Sequence, residues 1–148
     1  MGLDDPRYQK LVDKVELFSG LTPQDVGRIF AKGMTIGVPK GETIFFKGTT
    51  GDKMYVILGG KVGVFDGPKM VATLRLGETF GEMSLLNDEP RSATIVALEA
   101  CNLFVLSENV FKKLLTKKVA VQILLNIGRT MSGRVRDANL NLRESEGR

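Results

Sequence analysis

The spacing of apolar positions divides this chain into three stretches. In the first, Tyr8, Leu11, Val12, Val15 and Phe18 recur every three or four residues, which predicts a helix opened by Asp5 ahead of Pro6. Thr22-Pro23-Gln24-Asp25 then supplies a capping hydroxyl, a proline at the first helical position and an acid in the first turn. A second short helix should follow through Val26, Ile29 and Phe30. From Met34 to Leu106 the texture changes to short apolar runs rich in Val, Ile, Phe and Thr, separated by glycines. The predicted strands are Met34 to Val38, Thr43 to Lys47, Met54 to Leu58, Lys61 to Phe65, Met70 to Leu74, Ser92 to Leu98 and Asn102 to Leu106. Pro39-Lys40-Gly41, Gly48 to Asp52, Gly59-Gly60 and Asp66-Gly67-Pro68 are turn formers between them. Such closely spaced hairpins imply an antiparallel roll or barrel.

Helical spacing returns after Leu106. Ser107 and Glu108 form an N-cap and first turn ahead of the stripe Val110, Phe111, Leu114 and Leu115. In the last helix Val121, Leu124, Gly128, Met131, Val135, Ala138 and Leu142 alternate steps of three and four, a heptad seam. Two readings remain open: the seam lies on the chain's own roll, or it pairs with a second copy of the chain. The small residues Gly128 and Ala138 would let a partner backbone come close.

A length of 148 residues suits one folded domain. The expected division is 1–33 for the N-terminal helices, 34–106 for the roll, 107–142 for the C-terminal helices and 143–148 for a tail. One cysteine, Cys101, rules out an internal disulfide framework and fits a reducing, cytoplasmic setting. The absence of histidine removes the commonest metal ligand and the commonest general base, so neither catalysis nor a metal or cofactor is expected. No apolar run approaches the roughly 20 residues of a membrane span, and Pro6 stands where a myristoylation signal wants Ser or Thr, so no membrane partner is expected. The net charge of +4 is unevenly placed: residues from Phe111 onward carry nine bases against three acids, and the preceding residues sum to −2. Without aromatic residues for base stacking, that basic tail reads as a solvated helix face rather than a nucleic-acid surface.

The chemistry concentrates in GETFGEMSLLNDEPRSATI, residues 77–95, where Glu82 precedes Arg91. Only a single helical turn fits between Gly81 and Asn87, leaving amides free to cradle an anion beside a glycine that permits close approach. Arg91 can give two parallel hydrogen bonds to a phosphate and keeps its charge at any relevant pH. A carboxylate so close would repel that phosphate unless aimed at a donor, and a sugar hydroxyl is such a donor. The alternative is an ordinary salt bridge closing the loop.

Phe80-Gly81-Glu82-Met83-Ser84-Leu85, a short loop, then Arg91-Ser92-Ala93-Thr94 resembles the phosphate-binding cassette of the cyclic nucleotide-binding domain family, whose pattern is roughly F-G-E-x-(small)-L followed by R-(small)-A. The segment from Gly51 to Val62 matches the strand pair that precedes the cassette in that family, and the resemblance covers nearly the whole chain. It implies an α+β, mainly β fold: an eight-stranded antiparallel β-roll with N-terminal helices and two C-terminal helices, its cassette at residues 80–93. It also implies that Glu82 accepts the ribose 2′-hydroxyl and Arg91 binds the exocyclic phosphate oxygens. Gly81, Ser84 and Leu85 would offer amides, Ser92 a hydroxyl and Ala93 an amide, with Met83 inside the cassette. Val64 and either Val71 or Ala72 are expected walls for the base. Arg134 is the expected cap from the final helix, with Arg136 the runner-up. The resemblance favours cAMP over cGMP and a regulatory module that couples binding to movement or dimerisation of the last helix. Two alternatives stay open: a vestigial pocket with an assembly role, or the sensory piece of a larger transcription regulator, channel or kinase. DNA binding by this chain alone is not expected, and the effector is unknown.

Overall fold

A computed structural model describes residues 13–85, 89–114, 119, 121–132 and 134, with the backbone alone for Ser84, Leu85 and Leu114. Its strands are β1 (Met34–Val38), β2 (Thr43–Phe45), β3 (Lys53–Gly59), β4 (Lys61–Asp66), β5 (Lys69–Arg75), β6 (Thr79–Phe80), β7 (Thr94–Ala97) and β8 (Cys101–Ser107). They form two antiparallel four-stranded sheets, ordered β1-β8-β3-β6 and β2-β7-β4-β5. This is the mainly β roll that the sequence predicts.

The two faces of β3 explain why Met54 to Leu58 reads as an unbroken apolar run. Side chains alternate across a strand. Met54 and Val56 pack on one side with the helices, while Tyr55 and Ile57 pack on the other, between the sheets. Both faces of this sheet are covered, so neither set of positions needs polar residues. By contrast, β5 leaves Met70, Val71 and Ala72 exposed and buries Leu74.

Helix α1 (Pro23–Lys32) begins at the predicted cap. Thr22 Oγ1 accepts from the Asp25 amide at 3.1 Å and the Asp25 carboxylate accepts from the Thr22 amide at 3.2 Å, satisfying two amides that the helix start leaves unpaired. Helix α2 (Glu108–Leu114) is capped by Ser107, whose Oγ accepts from the Val110 amide at 3.2 Å. Helix α3 comprises residues 121–132 and Arg134, and it buries Ile123, Asn126 and Ile127. Asn126 Nδ2 donates to the carbonyls of Leu17 and Ser19, at 2.7 and 2.8 Å. A buried amide satisfied in this way fixes where the helix sits, since leaving it unpaired would cost about 1–3 kcal/mol.

The structure corrects several boundaries. Residues 1–12, and Val135, Ala138 and Leu142 of the seam, lie outside the described residues; Val15 and Phe18 are buried, but the first predicted helix does not run through them, because Val15 is extended and Glu16–Phe18 form a 3-10 turn. Strand β6 has only two residues and no apolar run to announce it. The strand predicted from Ser92 begins instead at Thr94, because the backbone of Arg91 pairs with the turn at Gly48 and Thr49. In the seam, Val121, Leu124 and Gly128 face solvent, away from the buried Ile123 and Ile127. Of the seam's described residues, Val121, Leu124 and Gly128 therefore do not lie on the roll, whereas Met131 packs against the core beside the stripe of Ile123 and Ile127.

Candidate functional site

Strand β6 ends at Phe80, Gly81 turns the chain with φ of 75°, and Glu82–Leu85 form one 3-10 turn, the short helical element expected between two strands. A cavity of about 330 Å³ opens beside this turn, within the roughly 300–1,000 Å³ usual for small-molecule sites. Of the residues predicted to serve the site, Val64, Gly81, Glu82, Met83, Arg91, Ser92, Ala93 and Arg134 line it. Ser84 and Leu85 complete the 3-10 turn behind Glu82, and Arg136 lies outside the described residues. Val71 and Ala72 do not reach the wall. The β4–β5 register pairs Leu74 with Val62 and Ala72 with Val64, and it is Leu74, further from the exposed end of the hairpin, that lines the cavity.

Arg91 lines this cavity. Its Nη2 donates to the Lys53 carbonyl at 2.7 Å and its Nη1 to the Gly81 carbonyl at 3.2 Å, and its guanidinium lies 4.2 Å from the centre of the Phe45 ring. Its Nε is buried and has no hydrogen-bond acceptor among the described residues. Burial lowers the Arg91 pKa below its usual value, opposed by the fields of Tyr55, Asp52 and Glu82. Neutral carbonyls and a ring hold the group without cancelling its charge. Such a cation is poised for an anion.

Glu82 is held differently. The carboxylate of Glu82, only 5% exposed, accepts from Arg134 Nη1 at 2.6 Å, and Arg134 Nη2 donates to the Thr79 carbonyl at 2.7 Å. Glu82 is thus ion-paired with α3 and not with Arg91. Arg134 reaches the cavity as the sequence reading expects, but its guanidinium is held against Glu82 and strand β6 rather than standing free for a purine.

Several participants carry no local signal. Phe45, Leu74, Ile95 and Met131 supply apolar wall beside Phe80 of the cassette, whose ring stacks on Tyr55 with centres 4.9 Å apart. Their alternation marks them as core, and only the packing of the two sheets shows which core positions border a cavity. Met131, assigned to the seam from its spacing, turns towards the cavity instead. Burial raises the Tyr55 pKa, partly offset by the nearby Arg91.

A β-roll with a half-buried arginine and a buried carboxylate lining one apolar-walled cavity has the groups to meet a small molecule with both anionic and hydroxyl parts. Residues 36–118 match the family model described as cyclic nucleotide-binding domain, and the chain belongs to that family. It is 32% identical to a cAMP-dependent protein kinase regulatory subunit of Hypocrea atroviridis, over 73% of this chain and 23% of that protein. It is 34% identical to a cyclic AMP receptor protein of Thermus thermophilus, over 85% of this chain and 60% of the relative. Among solved structures, the Thermus thermophilus catabolite activator protein superposes with a TM-score of 0.75 at 32% identity, covering 86% of this chain and 62% of that one. The chain therefore spans less than two thirds of the length of each of these relatives. No helix among the described residues is long and apolar enough to cross a membrane.

Proposed function

We propose that this chain binds a 3′,5′-cyclic nucleotide, cAMP in preference to cGMP, without converting it, and reports occupancy through its last helix. The ribose 2′-hydroxyl donates to Glu82, the phosphate binds at Arg91, and the apolar wall around Val64 and Leu74 receives the base. The names of both relatives above support cAMP.

The observation that carries the coupling is the Glu82–Arg134 pair, which joins the site to α3. A bare carboxylate would repel an anionic nucleotide a few ångströms away. Arg134 cancels that repulsion only while α3 is docked. The docked helix therefore binds ligand more tightly than an undocked one, and that difference in affinity is what allows a ligand to shift a two-state equilibrium. The exposed stripe Val121, Leu124 and Gly128 supports a homodimer through the same helix, since a side chain added at Gly128 would meet nothing within 4 Å. An effector would read the position of the helix or the dimer it forms.

Calorimetry with cAMP, cGMP and 2′-deoxy-cAMP tests this reading. Tight binding of the ribose-bearing nucleotides, weak binding of the deoxy analogue and recovery of intact cAMP are expected. A melting temperature unmoved by any cyclic nucleotide would point instead to a vestigial pocket, because a ligand at 100 times its Kd stabilises by about 2.7 kcal/mol. Sedimentation over a range of concentrations tests the dimer; a monomer throughout overturns it.

A further inference from the structure

Gly51 has no backbone reason to be glycine. Unlike Gly48 in the same connection, whose φ is 85°, it is not among the residues of positive φ. What distinguishes it is its neighbour. A Cβ placed on Gly51 would lie 2.4 Å from Arg91 Nη2, 2.7 Å from Nε and 2.9 Å from Cζ. That point is nearer to both nitrogens than to the carbon joining them, so it lies off the Nε–Nη2 edge of the guanidinium rather than above its face. The Phe45 ring is the group stacked over the guanidinium. The donor edge is thus pressed against bare backbone, and Nη2 passes it to reach the Lys53 carbonyl.

We propose that Gly51 is a positioning residue for the phosphate-binding arginine. Its missing side chain lets the guanidinium lie edge-on against the connection before β3, gripped by the Lys53 and Gly81 carbonyls and the Phe45 ring, with its remaining Nη donors turned to the ligand. This rests on the assignment of Arg91 to the phosphate. The three atoms nearest to a methyl group at position 51 all belong to the end of a flexible side chain, so the fold keeps its shape while the arginine is expelled from its seat. A site whose charged group is no longer held before the ligand arrives must spend binding energy to order it. The sequence places Gly51 in the strand-pair segment matched to the family, but only the fold sets it against Arg91.

The test is a double-mutant cycle on the full chain, reading cAMP affinity by calorimetry and the melting temperature without nucleotide, for Gly51→Ala, Arg91→Ala and both together. Gly51→Ala is expected to weaken cAMP binding at least tenfold. In the Arg91→Ala background the same change should alter neither affinity nor melting temperature, because the clash has gone with the guanidinium. Gly48→Ala, strained by its backbone and touching no side chain, should lower the melting temperature equally in both backgrounds. If Gly51→Ala alone fails to fold, a double variant melting with Arg91→Ala still supports the contact, and a double variant that also fails to fold overturns it. Wild-type affinity in Gly51→Ala, or a loss that adds in full to that of Arg91→Ala, overturns the positioning role while leaving the site assignment intact. Wild-type affinity in Arg91→Ala removes the assignment of the phosphate and this inference with it.

Discussion

Two arginines border one cavity, and they are held there by opposite means. Arg134 is paired directly with a carboxylate, so its end of the cavity is close to neutral and suits an uncharged donor such as a hydroxyl. Arg91 is fixed by backbone carbonyls and an aromatic ring, which orient it but leave its charge standing. A half-buried cation without a paired anion carries a desolvation cost in an empty site, and an anionic ligand relieves that cost. The difference teaches which part of a nucleotide belongs where: phosphate at the uncompensated arginine, ribose at the compensated carboxylate. Swapping the two would place a phosphate against Glu82.

The comparison breaks most sharply at Arg91. Arg91→Ala should cost cAMP binding about 3 kcal/mol, roughly a hundredfold in Kd by calorimetry, as for a desolvated charge left without its partner. Its thermal stability without ligand should change little, because two hydrogen bonds are lost together with one buried unpaired donor. Wild-type affinity here would end the assignment.

At the other end, Glu82→Gln removes the charged acceptor while keeping shape. The preference for cAMP over 2′-deoxy-cAMP should shrink by about tenfold to a hundredfold, the worth of a hydrogen bond to a charged group at about 1.5–3 kcal/mol. A preserved preference would mean that the ribose is read elsewhere. Arg134→Gln should weaken cAMP binding by about tenfold, since Glu82 then faces the anion bare, at about 1–2 kcal/mol for charges several ångströms apart in a half-buried site. Adding Glu82→Gln to it should recover part of that loss. Further weakening in the double variant would show Arg134 acting on the ligand directly.

The smallest effect concerns Tyr55, which packs against both Phe80 and Phe45 and lies within the field of Arg91. Burial raises its folded pKa above the ordinary 10.0. Its contribution is therefore complete below about pH 10 and is lost as pH rises through the higher folded value. Melting curves between pH 9 and 11 should fall less steeply for Tyr55→Phe than for the native chain. Parallel curves would show that the hydroxyl ionises without consequence.

Much of this architecture is legible in the sequence. Caps at Thr22 and Ser107, the turn glycines and the short apolar runs are local signals, set by backbone angles and by hydrogen bonds a few residues apart, so the order of helices and strands can be read from them apart from the two-residue β6. Glu82 and Arg91 were legible for the same reason, sitting with Gly81 in one short segment. Contacts between residues distant in sequence were not legible. Nothing in the spacing around Arg134 says that its guanidinium meets Glu82, or that Gly51, Lys53 and Phe45 form a seat for Arg91. Periodicity alone joined Val121, Leu124, Gly128 and Met131 in one seam, whereas the packed helix buries Ile123, Asn126 and Ile127 and turns Met131 towards the cavity. The chain by itself thus determined which chemical groups the site has to work with. How two sheets and a helix close around them decided which groups touch, and so which arginine is neutralised and which keeps its charge for a ligand.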